Sequence, residues 1–311
     1  MKLSPFCQEI SDTLSGNGIN VSVSGCGETT LLHATGKDGH GAVFLVLDPV
    51  AGTEAEADRT AGEILSGLRQ IQASEGLRPA VIVRDLWERQ KETVLARMLA
   101  HCGTFTPLFA RNCEVRRISR PEANAFLAGI HSYGGASCRY CYGLFPKKAA
   151  GTGESGRQDG PVAVAEFSNA RKWIKSGQEI RSYEWIRYAS LPGMRISGGM
   201  GKILRYFTDE IRPDDIMSYA DLEWSDGSVY RRLGFAEDGF KSPVTFLIDR
   251  TLWTRTPISC HPGRPCHPDH PRHPERPSPV ILSDSEESAT PPTSYYRNLG
   301  SIKFRLKLTD Y

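Results

Sequence analysis

The sequence predicts an α/β protein in two parts, a small α/β unit with a partly parallel sheet and then a larger α/β unit. Three observations predict it. The run Gly41-Ala-Val-Phe-Leu-Val-Leu47 is continuously apolar and stops at Asp48-Pro49, as a strand buried on both faces requires. A helical apolar period over residues 57–71 separates it from a second apolar run, Pro79-Ala-Val-Ile-Val83, and such alternation of strand and helix favours parallel pairing. Farther on, a strand-like segment, a glycine-rich turn and an amphipathic helix follow one another between residues 183 and 211.

Taken in order, residues 1–105 form the small unit. After the Gly41–Leu47 strand, Thr53-Glu-Ala-Glu56 is a capping box, and Ala57, Ala61, Ile64, Leu65, Leu68 and Ile71 share one helical face. Asp85-x-x-Glu88 is expected to open a second helix, carrying Val94, Leu95, Met98 and Leu99 and stopped by Gly103. Residues 106–256 form the larger unit, with an amphipathic helix from Pro121 to Ile130 and a glycine-rich loop at 149–156. Its later half reads as a strand over 183–191, a turn over 192–202, and a helix with Ile203, Leu204, Phe207 and Ile211 inward. A strand over 216–220 follows, then a short helix capped by Ser225 or Asp226 and closed by left-handed Gly234, then a strand over 244–248. Residues 257–294, rich in Pro, His and Ser, have too few apolar side chains to offset ordering entropy and are expected to be a disordered linker. In 295–311, Ile302, Phe304, Leu306 and Leu308 alternate with Lys303, Arg305 and Lys307, so a strand is expected to return to the sheet of the larger unit.

Composition narrows the function classes. The 311 residues carry a net charge of only +2, so the chain does not hold nucleic acid by bulk charge. With 39% hydrophobic and 24% charged residues it is globular material with a real core, and no stretch is long and apolar enough for a membrane span. The opening residues reach Gln8-Glu9 before a signal-peptide apolar region accumulates, and the eight cysteines are scattered. A cytoplasmic protein with reduced thiols is the expectation.

The chemistry is concentrated between Glu184 and Phe235. In Pro192-Gly-Met-Arg-Ile-Ser-Gly-Gly-Met-Gly-Lys202 a strand runs through glycines into a helix, the arrangement that aims bare amide N–H groups at an anion. The turn is neither a phosphate-loop motif, since Ile203 stands where Ser or Thr is needed, nor a dinucleotide fingerprint. Arg195-Ile-Ser-Gly198, with the ending Tyr230-Arg-Arg-Leu-Gly-Phe235, resembles the acyl-CoA site of the GNAT superfamily of N-acyltransferases. Met200 stands where that loop has its second small residue, with Gly199 and Gly201 on either side. The wider pattern from Tyr183-Glu-Trp-x-Arg187 through Tyr219-Ala-Asp to Phe235 is similar to a phage and mobile-element branch of Mom-type acyltransferases, which modify adenine in DNA. The resemblance spans about residues 109–250 and leaves residues 1–105 unassigned. It implies a GNAT-like mixed, mostly antiparallel sheet with flanking helices, and acetyl-CoA or another acyl-CoA as co-substrate. It also implies an amine acceptor, which the Mom-like pattern tilts toward a nucleobase in DNA or RNA.

Each site residue carries two readings. The resemblance implies Tyr230 as the acid that protonates the leaving thiolate; its alternative is a packed aromatic. Glu184 enters as a base or as an ion-pair partner of Arg187 or Arg181, and Asp221 as a base or a turn-former. His131, in His131-Ser-Tyr-Gly-Gly, is a candidate base or a surface histidine. Arg195, Ser197, Gly198, Gly199, Gly201 and Lys202 are the candidate acyl-CoA contacts. Arg139-Tyr-Cys-Tyr142 and Arg171-Lys-Trp-Ile-Lys175 pair cations with aromatics, as nucleic-acid surfaces do. No metal is expected: Cys138-x-x-Cys141 has ligand spacing without a second Cys/His pair, and every histidine of the Cys260–His273 tract precedes proline. Two rival functions stay open. One is a catalytically silent GNAT-like module that binds nucleic acid or protein, and the other is a nuclease using Asp48.

Overall fold

The structure, a computed structural model, describes residues 3–26, 29–147, 160–175, 177–258 and 292–311. The expected loop at 149–156 and almost all of the expected linker at 257–294, with its Cys/His tract, lie outside these residues.

The first part runs α1 (Pro5–Gly16), β1 (Asn20–Cys26), β2 (Thr29–Thr35), β3 (Gly41–Leu47), α2 (Glu54–Glu75), β4 (Ala80–Val83) and α3 (Arg84–His101). Its strands form one sheet in the order β1-β2-β3-β4, antiparallel except for the parallel β3–β4 pair. The Thr53–Glu56 capping box opens α2 as its sequence predicts. The Asp85 signal misleads. Helix α3 begins at Arg84 with no side-chain cap, and Asp85 is fully buried in a two-pronged ion pair with Arg255. A capping sequence cannot announce a partner 170 residues away.

The second part continues with β5 (Thr106–Phe109), β6 (Cys113–Arg117), α4 (Arg120–Ala128), β7 (Tyr140–Pro146), β8 (Ala163–Phe167), β9 (Arg171–Lys175), β10 (Gln178–Ser190), β11 (Met194–Ser197) and α5 (Gly199–Ile211). After these come β12 (Asp215–Asp221), α6 (Ser228–Arg232), β13 (Ala236–Lys241), β14 (Thr245–Asp249), β15 (Thr254–Pro257), β16 (Thr293–Arg297) and β17 (Ser301–Lys307). The main sheet has the order β13-β17-β12-β10-β8-β7-β6, with β9 also on β10, and only β10–β12 is parallel. Alternation along the strands serves two faces. Tyr142, Ala165 and Phe167 point to α5, whose Phe207 stacks on Phe167 at 4.0 Å, while Cys141 and Val164 point to α4. The terminal strand β17 pairs with β12 as its alternation predicts and buries Phe304 fully, but it ends at Lys307 and leaves Leu308 exposed.

The buried clusters do not follow the 105/106 boundary. Strands β14, β15 and β16 form a separate small sheet that packs on α2, so Phe246, Ile248 and Tyr296 share a core with Leu31, Leu45, Ile64 and Leu68. Residues 222–224 run along the open edge of β4, where Val81 N–H donates to Glu223 O at 2.7 Å. Leu222 enters the core on one face of the first sheet and Trp224 the core on the other. The two parts are interlocked.

Arg255 and Asp85 are the buried clamp of this interlock, and the Arg255 guanidinium also lies 4.7 Å from the Tyr296 ring. Arg255→Met is expected to cost about 3–5 kcal/mol in denaturant unfolding by stranding the Asp85 charge, and adding Asp85→Asn should recover much of the loss.

Candidate functional site at the splayed strands

Strands β10 and β12 pair through only three residues each, Ser182–Glu184 against Asp215–Met217, and then part. The cause is local. Strand β10 carries a bulge between Trp185 and Arg187, held by Trp185 Nε1 donating to Arg187 O at 2.9 Å. Where the next ladder bond would fall, Ser218 Oγ stands 2.9 Å from Trp185 O instead, and 2.8 Å from the Tyr230 hydroxyl. A serine has one proton to give. When that proton goes to Trp185 O, the Tyr230 phenol is the donor toward Ser218. The hydroxyl of Tyr230 therefore sits at the point of divergence.

Helix α6 brings it there. Gly227 precedes the helix at φ 81°, and a Cβ there would lie 2.2 Å from the Phe304 ring, so only glycine lets Tyr230 stack on Phe304 with ring centres 5.3 Å apart. The exit is the expected one: Gly234 is left-handed, its N–H donates to Arg231 O, and Phe235 N–H donates to Tyr230 O. Burial raises the Tyr230 pKa, which keeps the phenol protonated.

The glycine turn divides its labour. Ser197 and Gly198 are exposed, with Gly198 left-handed ahead of α5. The amides of Gly199, Met200 and Gly201 have no acceptor within the helix, as in any first turn. Gly199 and Gly201 are packing glycines as well: a Cβ would meet the Tyr188 hydroxyl at 2.7 Å in the first case and Leu233 at 3.3 Å in the second. Met200 lies against the main core. Two predicted contacts are committed elsewhere. Lys202 Nζ donates to the carbonyls of Ala110, at 2.9 Å, and Cys113, and Arg195 lies over the Phe105 ring at 5.0 Å.

Beside the turn is a cleft of about 260 Å³, lined among others by Thr93 and Arg97 of α3, His131, Tyr188, Leu191 and Met194. Arg97 donates to Ser132 Oγ at 3.1 Å and covers the Trp224 ring at 3.8 Å. His131 belongs to this wall but not as a near-neutral base. Burial, with Arg187 and Arg97 adding repulsion, presses its pKa down to about 3, and its Nδ1 accepts from Tyr133 N–H at 3.1 Å. The ring is neutral with its proton on Nε2. Tyr133, just beyond in the chain, exposes half its surface yet lies within electrostatic reach of Asp221 and Glu223.

Asp221 and Glu223 are the acidic centre. Both carboxyls have raised pKa values, Asp221 chiefly by burial and Glu223, pushed up to about 7, by burial and then by Asp221. Tyr296 donates to Glu223 at 2.5 Å, Glu223 N–H donates to Asp221, and Arg97, Arg255 and Arg78 pull the other way. The carboxyl titrating near neutrality, Glu223, is thus buried under Tyr296 behind the cleft rather than in its wall, and Asp221 is the half-buried member of the pair. Glu184 is the last residue of β10 in register with β12, opposite Met217.

The predicted residues do not all converge. Tyr230 and Glu184 mark the divergence, His131 the cleft, Asp221 the acidic pair at the end of β12, and the glycines the helix mouth. Arg97, Arg255, Glu223 and Ser218 carry no local signal; only Asp221-x-Glu223, two acids spaced by one residue at a strand end, offers a hint. Of the cation–aromatic patches, Arg139–Tyr142 places Tyr142 in the core on Glu210, whereas β9 keeps Ile174 exposed. Asp48 is paired with Arg84 and Arg250 rather than grouped with other acids as a nuclease metal site requires. No protein-family model matches this chain, and no curated protein matches it. Among the described residues no helix is long and apolar enough to cross a membrane.

The raised carboxyls give a signed pH dependence. Since the fold favours protonated Glu223, the stability it contributes is complete below the ordinary carboxyl range and is lost as pH rises through about 7. Glu223→Gln is expected to remove a decline on the order of 3 kcal/mol between pH about 4.5 and about 7, read from urea midpoints across pH.

Proposed function

We propose that the chain is an acyl-CoA-dependent N-acyltransferase of GNAT type. The observation that carries this reading is the parallel β10–β12 pair that opens after three residues, with the Tyr230 hydroxyl in the fork and the α5 N-terminus following β10. Such a fork offers unpaired main-chain groups to a pantetheine amide, and the bare amides of Gly199, Met200 and Gly201 offer donors to its diphosphate. The chain's resemblance to the GNAT loop at Arg195–Gly198 and to the Tyr230–Phe235 ending supports the same assignment.

The roles follow from the surroundings. An acceptor amine enters from the cleft and attacks the thioester carbon; its N–H proton passes to Asp221, the half-buried member of the acidic pair, and the C–S bond breaks. Tyr230, kept protonated by burial, supplies the proton to the departing sulfur, leaving amide and free CoA thiol. Arg97 and Arg187 face the acceptor side. The Mom-like pattern directs the acceptor reading to the exocyclic amine of a nucleobase in DNA or RNA, in a phage or mobile-element setting.

The commitment of Lys202 and Arg195 to Ala110, Cys113 and Phe105 favours a second reading, a silent GNAT-like module that binds nucleic acid or protein. Calorimetry separates the two. Acetyl-CoA is expected to bind with a micromolar constant that Gly198→Glu abolishes, and absence of heat selects the module. Tyr230→Phe, which preserves the stack on Phe304, is expected to lower kcat about a hundredfold with little change in KM, followed by release of CoA thiol.

A further inference from the structure

A second polar cluster lies on the α4 face of the main sheet, apart from Asp221 and Glu223. Cys141 and Glu166 are direct partners across β7 and β8, so both side chains leave the sheet on the same side, and Cys138 reaches them from the preceding turn. The two sulfurs are 3.2 Å apart, and both lie within 4.8 Å of a Glu166 carboxylate oxygen. Glu166 is fully buried. Its Oε2 accepts from Ala136 N–H at 2.9 Å, but Oε1 is sealed from solvent with no hydrogen-bond partner. An orphaned carboxylate oxygen beside two thiols is costly unless something binds it.

We infer that Cys138, Cys141 and Glu166 form a binding site for one thiophilic divalent cation of the zinc class. Two thiolates and a carboxylate suit such an ion in kind and number, leaving the fourth position on the half-buried Cys138 side to water. Tetrahedral geometry needs the sulfurs about 3.8 Å apart, a small widening from the distance here that the turn bearing Cys138 can supply. Binding releases the two thiol protons. The spacing of Cys138 and Cys141 alone lacks a further ligand; strand pairing brings Glu166 from 25 residues beyond Cys141.

The position gives the ion a task. The same turn continues from His131 and Ser132 in the cleft wall, and Arg187, opposite Glu166 on β10, donates to Gly134 O at 3.2 Å. A cation would pin residues 136–141 to β8 and so fix where His131, Ser132 and Tyr133 stand. These three ligands are positioning residues.

Reduced full-length protein carrying Cys260→Ser and Cys266→Ser, which removes the other paired thiols, is titrated with Co(II). The expected result is a thiolate-to-cobalt charge-transfer band that saturates at one ion per chain and is displaced by equimolar zinc. Cys138→Ser, at a half-buried position, should abolish the band with the far-UV dichroism unchanged, and Glu166→Gln should weaken binding by at least about tenfold. No band at excess metal, a band that survives Cys138→Ser, or an isolated protein lighter by two hydrogens because of a Cys138–Cys141 disulfide that persists instead of metal binding would each overturn the assignment. None of these readouts depends on acyl transfer.

Discussion

Two carboxyl groups taken out of water at the end of β12 constrain much of this molecule. Asp221 and Glu223 stand two residues apart and repel one another, so the fold has to gather countercharge or leave them protonated. It does both. Arg97 arrives on α3, Arg255 on β15 and Arg78 from the approach to β4, three segments that no local rule would bring together. The segment carrying the two acids also completes the edge of the first sheet, with Leu222 and Trp224 buried on its opposite faces. Electrostatics and packing thus meet in residues 221–224, which join the two parts of the chain.

This gives the first part a physical role. It forms one wall of the cleft through Thr93 and Arg97, and it supplies the charge that holds the acidic pair. On the acyl-transfer reading proposed above, acceptor selectivity would reside in α3 and the 131–132 segment as much as in the main sheet.

The fork in the main sheet is a failure of pairing that is itself stabilised. Beside the bulge at Trp185–Arg187 the Trp185 carbonyl meets the Ser218 hydroxyl of β12 in place of a backbone amide, and Tyr230 in turn meets Ser218. The Trp185 carbonyl and the hydroxyls of Ser218 and Tyr230 are each partnered at the point of divergence, which helps hold the strands apart. Gly227 and Gly234 are structural in this arrangement. One admits the Phe304 ring, and the other ends α6 so that Phe235 folds back on Tyr230.

Local signals carried much of this protein. Apolar runs, the capping box at Thr53, the alternation of 302–306 and the helix exit at Gly234 depend on neighbours within a few residues, and they read true. Tyr230, Asp221 and the glycine turn stand out as candidates for the same reason, being short motifs at element ends. What the sequence alone left open was every assignment that needs a distant partner. Asp85 reads as a cap until Arg255 arrives, His131 reads as a base until burial, helped by two arginines, depresses it, Lys202 reads as a phosphate ligand until Ala110 and Cys113 claim it, and Cys138-x-x-Cys141 lacks a third ligand until β8 pairs with β7. Charge and coordination act through space, and only tertiary structure sets those distances.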